Sequence, residues 1–169
     1  MGYYKSKITK GFTLIELIIV IAIIAILAAA IFVAIDPARR LHESRNARRS
    51  SDVATILEAI KTYQADHGGA HYLSIQNLTD GTYYQIGTDG SSCAISCGLE
   101  NTDGSCVNLY GMGSNYLADV PRDPSKGTNL QTGYAMTRDL NGAIVVQACY
   151  PEGEGPGGMG VAPDIKVTR

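Results

Sequence analysis

The 169-residue chain contains no tryptophan and only two phenylalanines, so its folded part is poor in large apolar rings. It also has no glycine-rich phosphate loop, and its histidines do not stand in a His-Asp-Ser or Cys-His arrangement: they are His42, His67 and His71. The glycine-rich tail, residues 153–160, lacks the alternating oxygen ligands of a calcium loop and is expected to be flexible. We therefore predict no enzyme activity, no catalytic residue, no cofactor and no metal site.

Basic residues are scarce in the C-terminal part of the chain. From residue 50 onward there are 6 basic and 13 acidic side chains, a net charge of −7 within a total of −2. A domain that binds nucleic acid usually has the opposite balance, so nucleic acid is not expected as a partner. The length allows one domain with an appendage.

Cysteine is absent from the first half of the chain, and four cysteines follow: Cys93, Cys97, Cys106 and Cys149. An even number beyond a membrane-targeting segment favours an oxidising exterior and two disulfides. All three pairings remain open. A zinc site is the alternative, although the C-x3-C-x8-C spacing differs from the paired C-x2-C form.

A hydrophobic run near the N-terminus contains a single acid. From Leu17 to Ile35 no side chain is polar, and counting from Phe12 gives 24 residues, roughly 36 Å as a helix. That length can cross a hydrocarbon core of about 30 Å. Glu16 lies inside the start of this segment, where an acid is costly.

Three interpretations of the run differ in how they treat Glu16. A cleaved secretory signal would use the small residues Ala28–Ala30, but the apolar stretch continues beyond them. A permanent membrane anchor fits the length of the apolar run, but the acid at Glu16 has no function in an anchor. In the third interpretation, cleavage between Gly11 and Phe12 creates an ammonium group one helical turn before Glu16. A neighbouring copy could then pair its amine with this acid and set the axial register.

The residues Lys10-Gly11-Phe12-Thr13-Leu14-Ile15-Glu16, followed by the apolar helix, resemble the N-terminal signal of type IV pilins and type II secretion pseudopilins. The resemblance implies that a prepilin peptidase removes the leader, residues 1–11, after Gly11 and N-methylates Phe12. It also implies that Glu16 guides assembly into a homopolymeric helical filament. The expected partners are the peptidase, an assembly platform with its ATPase, and membrane lipid before assembly.

The resemblance also implies a location: a single-pass protein of the inner membrane before assembly and an extracytoplasmic or cell-surface filament afterwards. The charges flanking the run give a conflicting indication. Three lysines precede it and five arginines follow it, so the positive-inside count points the wrong way. We infer the orientation from the leader peptide, which places the N-terminus in the cytoplasm, because a peptidase signal is useful in one orientation only.

Residues 12–35 are predicted to form the membrane and assembly helix, and residues 36–69 an amphipathic helix that restarts at Asp36-Pro37. Its apolar stripe for packing against a head domain comprises Val53, Ile56, Leu57, Ile60 and Tyr63. Arg45, Arg48 and Arg49 share a face, which we interpret as a solvated neck whose charges meet acidic heads of neighbouring subunits. Attraction to lipid head groups or DNA is the alternative.

Residues 70–169 are predicted to form a β-rich extracytoplasmic head with the disulfides and the glycine-rich tail. Tyr134–Thr137 and Ala143–Ala148, joined through Asn141-Gly142, indicate a β-hairpin. Pro121-Arg122-Asp123-Pro124 is similar to segments in major pseudopilin heads. The expected fold is α+β, with a long N-terminal helix and a small antiparallel sheet. The function expected from the resemblance is a pilus or pseudopilus subunit; the alternative is an anchored binding module that does not polymerise.

Overall fold

The computed structural model describes residues 11–169, and the chain divides into two compact units, one ending at Pro37 and the other spanning Ala38–Arg169. The first unit contains helix α1, Leu14–Ile35, none of whose residues is buried. Asp36 ends α1 in the left-handed conformation, with φ of 47°. Pro37 then starts a new helix, because its fixed φ suits a first helical position and its missing N–H is not needed there.

Helix α2, Pro37–Asp66, supplies one side of the core of the second unit. The predicted apolar stripe is confirmed: four of its members are at most 2% exposed and Tyr63 packs against them; the four are Val53, Ile56, Leu57 and Ile60. Their spacing of three and four residues puts them on one face of the helix. Gly68, with φ of 64°, follows the helix end, and glycine favours this left-handed conformation.

A six-stranded sheet packs against that stripe in the order β2-β3-β1-β4-β5-β6. The strands are β1 Tyr83–Ile86, β2 Ser96–Cys97, β3 Glu100–Val107, β4 Tyr134–Arg138, β5 Ile144–Ala148 and β6 Lys166–Thr168; a short helix, α3 Leu73–Gln76, precedes them. The predicted α+β class is confirmed. The sheet is mixed rather than antiparallel, because β1 and β3 are parallel. Residues 87–99 are long enough for the crossover that a parallel pair needs.

The predicted hairpin is confirmed as β4 and β5, which pair from Tyr134–Ala148 to Arg138–Ile144. The Asp139 carboxylate closes the turn by accepting hydrogen bonds from the backbone N–H groups of Asn141 and Ala143 at 2.8 Å each. Gly142 takes the left-handed conformation that this turn requires, with φ of 81°.

Alternation along the strands gives the sheet two covered faces. The inner face meets α2 with Tyr84, Ile86, Tyr134, Met136, Ile144 and Val146. The outer face carries a smaller cluster of Cys97, Ala135 and Cys149, flanked by Tyr83, Ile95 and Tyr150. The segment between β1 and β3 therefore lies over part of the outer face.

The glycine-rich tail, residues 153–160, adopts a defined loop, and its flexibility remains a prediction. The backbone N–H of Gly155 donates to the Met159 carbonyl at 2.7 Å, which closes a tight loop. A Cβ on Gly153 would approach the Met159 and Gly160 carbonyl oxygens to 2.7 Å, so this loop needs glycine. Beyond it Ile165 is buried and β6 pairs with β5.

Candidate assembly site at the start of the hydrophobic helix

Thr13 and Glu16 form a reciprocal cap at the start of α1. The Glu16 carboxylate accepts hydrogen bonds from the backbone N–H and the hydroxyl of Thr13, both at 2.8 Å. The Thr13 hydroxyl oxygen in turn accepts from the Glu16 N–H at 3.3 Å. A Thr-x-x-Glu sequence is a recognised helix-start signature, since it satisfies donors that have no partner within the helix. Glu16 therefore has a local role in the single chain.

The surface of α1 is apolar and exposed throughout the first unit. The large side chains from Phe12 to Ile35 are each at least half exposed, with Phe12 at 91%. Within residues 11–169, one helical stretch is long and apolar enough to cross a membrane by length and composition, and α1 is its apolar part. Apolar surface of this extent has to be covered by lipid or by other protein chains.

The predicted cleavage point lies immediately before the Thr13 cap. Gly11 and Phe12 are exposed and non-helical, and a Cβ on Gly11 would meet no atom within 4 Å. The leader lysines Lys5, Lys7 and Lys10 lie outside the described residues. Within residues 11–169 no ion pair involves Glu16, whose partner is Thr13. The predicted pairing with the Phe12 amine of a neighbouring copy remains a prediction.

The four cysteines lie in two pairs at bonding distance, Cys93 with Cys106 and Cys97 with Cys149. The first pair, with a sequence separation of 13, joins the segment between β1 and β3 to the end of β3. The second joins β2 to the end of β5, with a sequence separation of 52. In the part of the chain from Gly11 onward, no group of three or more His, Cys, Asp or Glu side chains is placed to hold a metal ion.

A buried ion cluster in the second unit was missed from the sequence. The side chains of Arg49 and Asp123 are both 0% exposed, and Arg49 Nε donates to Asp123 Oδ2 at 2.6 Å. Arg49 Nη1 also donates to Glu152 Oε2 at 2.8 Å. Arg45 binds the same Glu152 carboxylate through two hydrogen bonds, of 2.6 and 2.7 Å.

The interpretation of the arginine face as a solvated neck is therefore wrong for Arg45 and Arg49. Their acidic partners come from the Pro-x-Asp-Pro loop and from the segment after β5, more than 70 residues along the chain. Arg48 does point outward, 64% exposed, with Asp52 at 3.7 Å. The sequence around Arg45, Arg48 and Arg49 does not indicate which of these three arginines is buried.

Both carboxylates of the cluster are held in the ionised form. Burial raises the pKa of Asp123, but hydrogen bonds from Arg49, Ser125 and the Lys126 backbone N–H outweigh it and lower the pKa below its ordinary value. Burial likewise raises the pKa of Glu152, and Arg45 and Arg49 bring about a net lowering. The cluster thus stays fully charged at neutral pH.

The three histidines lie in three different places, and His42 Nε2 is 3.7 Å from Glu152 Oε1 at the edge of the ion cluster. His42 Nδ1 lies 2.9 Å from the Gly153 carbonyl oxygen, and His67 stacks on Tyr63 with 3.9 Å between the ring centroids. His71 Nδ1 lies 2.7 Å from the Gln64 amide nitrogen. None of these contacts places a nucleophile beside a base.

Residues 7–32 match the family model described as the prokaryotic N-terminal methylation motif. The match includes the Gly11–Phe12 bond, the Thr13–Glu16 cap and most of α1, and it supports a prepilin-type signal of the type IV pilin and pseudopilin kind. Such a signal implies processing by a peptidase, a membrane-anchored precursor and a structural role in pilus-like machinery. No curated protein and no solved structure matches the chain.

Proposed function

We propose that this protein is the structural subunit of an extracytoplasmic filament, a type IV pilus or a type II secretion pseudopilus. It enters the membrane through α1, is cut after Gly11, and polymerises through the exposed surface of that helix. The observation that carries the proposal is the methylation motif at residues 7–32, coinciding with a helix that leaves every side chain uncovered.

Cohesion in the filament comes from burying α1 side chains against α1 of other copies. In the bilayer those side chains already avoid water, so assembly gains from close packing and from polar pairing rather than from a simple hydrophobic transfer. Removal of the leader exposes a positively charged amine on Phe12, and Glu16 is the one acid within reach on α1. A charged pair in an apolar environment is tolerated when its geometry is good, and it specifies register.

The Thr13–Glu16 cap supports this role by holding the carboxylate at the helix start. Before assembly the carboxylate accepts two hydrogen bonds from Thr13, which offset part of the cost of placing it at the start of the membrane helix. In the filament the same carboxylate can accept a further hydrogen bond from an amine, since it has several lone-pair positions. The local cap and the proposed contact between subunits are therefore compatible.

The head contributes a folded surface that covers the filament. The ion cluster of Arg49 ties α2 to two loops of the head, and the paired cysteines secure the β1–β3 segment. Such bracing suits a small domain without tryptophan that works outside the cytoplasm. It also fits a structural rather than an enzymatic role.

The experiment that tests the proposal combines intact mass spectrometry of the mature protein with negative-stain imaging of sheared surface material. We expect a chain that begins at N-methylated Phe12 and filaments that contain it. A chain that still begins at Met1, without filaments, would instead identify an anchored binding module. A start near Ile31 would identify a secreted domain.

A further inference from the structure

A cleft of about 460 Å³ opens on the outer face of the sheet, the face that does not pack against α2. Tyr83 of β1 and Gln147 of β5 contribute to its floor. Both residues alternate with core residues along their strands, which places them on the outer face. The cleft lies wholly within the second unit and involves no residue of the assembly helix.

Both walls of the cleft are fixed to the sheet. One wall is the two-residue turn Gly98-Leu99 between β2 and β3, beside the Cys97–Cys149 pair. The other wall runs from Val161 to Asp164 and is followed by the buried Ile165, whose carbonyl accepts from the Ala148 N–H at 2.9 Å. The cleft is therefore formed in advance of any binding, as ligand sites usually are.

Two aliphatic side chains face solvent at the walls without any covering. Leu99 is 102% exposed and Val161 is 96% exposed, although both line the cleft. Pro151 and Pro163 add further apolar surface. Exposed apolar surface that borders a cleft is typical of a site that a partner covers.

The charges at the cleft are unbalanced. Asp164 and Lys166 form an ion pair at 2.5 Å, so they neutralise each other. The Glu100 carboxylate also lines the cleft and, after Asp164, contributes to raising the pKa of Lys166, but within residues 11–169 no ion pair or side-chain hydrogen bond involves it. Burial raises the pKa of the Tyr83 phenol, and the charges of Glu100 and Asp164 raise it further against the opposing charge of Lys166, so Tyr83 is a neutral donor on the floor. The cleft thus holds two acids and one base, which leaves a net charge of −1 beside apolar walls.

We propose that this cleft binds an extended polypeptide segment of another protein, in which an aliphatic side chain is flanked by arginine or lysine. The aliphatic side chain packs between Leu99 and Val161, and the basic side chain pairs with Glu100. Anionic lipid or nucleic acid is disfavoured by the same acid. The inference does not depend on filament formation, because every residue involved belongs to the head.

The test is fluorescence anisotropy with the full chain in phosphatidylcholine nanodiscs. The probe is a labelled eight-residue peptide with a central Arg-Leu-Arg, and the matched probes carry Glu-Leu-Glu or Arg-Ser-Arg. We expect saturable binding of the first probe only. Glu100→Gln should weaken that binding about 3- to 5-fold, as for a solvent-accessible ion pair. Leu99→Ser should weaken it about 10-fold, as for loss of one buried aliphatic contact.

The control variants are Leu140→Ser at the exposed tip of the β4–β5 hairpin and Glu58→Gln on α2, neither of which lines the cleft. Both should bind the Arg-Leu-Arg probe as wild type does. Absence of saturable binding, equal binding of the Glu-Leu-Glu probe, or no effect of the two cleft variants would overturn the proposal. A further outcome would assign the cleft to a second copy of this chain: no probe binds the wild-type chain, and Leu99→Ser abolishes filaments. That outcome would also overturn the proposal.

Discussion

Arg49 of α2 donates two hydrogen bonds to Asp123, Nε to Oδ2 at 2.6 Å and Nη2 to Oδ1 at 3.2 Å, and both side chains are 0% exposed. Asp123 also accepts from the Ser125 N–H at 2.9 Å and the Lys126 N–H at 3.0 Å. The pair joins the helix to the Pro-x-Asp-Pro loop. Its geometry is that of a fully satisfied buried ion pair, which is costly to break from one side.

Arg49→Leu should destabilise the head by about 3–5 kcal/mol, because it leaves the buried Asp123 carboxylate without its cation. The measurement is denaturant unfolding of the full chain in nanodiscs, followed by tyrosine fluorescence, since the chain has ten tyrosines and no tryptophan. Arg48→Leu on the preceding residue is the matched control. Its side chain is 64% exposed with Asp52 at 3.7 Å, so a loss of at most about 1 kcal/mol is expected. An equal loss of unfolding free energy in Arg49→Leu and Arg48→Leu would show that the buried ion cluster does not stabilise the head more than an exposed ion pair does.

Acid should weaken the head through the same cluster. The folded-state pKa values of Asp123 and Glu152 are lowered, so their stabilisation is complete above the ordinary values of 3.8 and 4.5 and is lost as the pH falls through the lower folded values. The unfolding free energy of the wild-type protein should therefore stay level from pH 6 to about pH 5 and fall between there and pH 3. The slope should flatten or reverse in Arg49→Leu, where only the hydrogen bonds from Ser125 and Lys126 remain to offset the burial of Asp123. Parallel curves for the two proteins would contradict this explanation.

Peptide mapping without reducing agent should find the bonds Cys93–Cys106 and Cys97–Cys149 in protein isolated from outside the cytoplasm. The second bond closes the longer loop, with a sequence separation of 52 against 13, so its entropic effect on the unfolded chain is larger by about 1 kcal/mol. Replacing both members of that pair by serine should lower stability more than replacing both members of the other. Four free thiols, or a different pairing, would show the prediction to be wrong.

Local patterns predicted the elements that depend on neighbouring residues. The three- and four-residue spacing from Val53 to Tyr63 identified the buried face of α2, and Asn141-Gly142 between apolar runs identified the β4–β5 hairpin. Pro37 marked the restart of the helix. Each of these signals acts within a few residues, where backbone preference and periodicity decide the structure.

The features that the sequence did not predict depend on contacts between distant residues. The parallel pairing of β1 with β3 needs knowledge of where the 87–99 crossover runs. The two acidic partners of Arg49 lie 74 and 103 residues away, so the local sequence does not indicate that this arginine is buried. The Thr13–Glu16 cap was within reach of the sequence, because Thr-x-x-Glu before an apolar run is its known signature.

Glu16→Gln separates the two roles of this side chain. A glutamine at residue 16, the third position of the helix, can still accept a hydrogen bond from the Thr13 backbone N–H, so the cap and the helix should persist. The negative charge needed to pair with the Phe12 amine of a neighbouring copy is lost. Thr13→Ala is the complementary variant, since it removes the capping hydroxyl, keeps the acid, and should cost the helix about 1 kcal/mol.

The decisive measurement is the yield of sheared filaments from cells that express Glu16→Gln, Thr13→Ala or the wild-type protein, with membrane-inserted subunit quantified in each. We predict that Glu16→Gln abolishes filaments while insertion and leader removal continue, and that Thr13→Ala retains them. Filaments of Glu16→Gln at the wild-type yield would contradict the account, because a neutral side chain could then set the register as well as an acid.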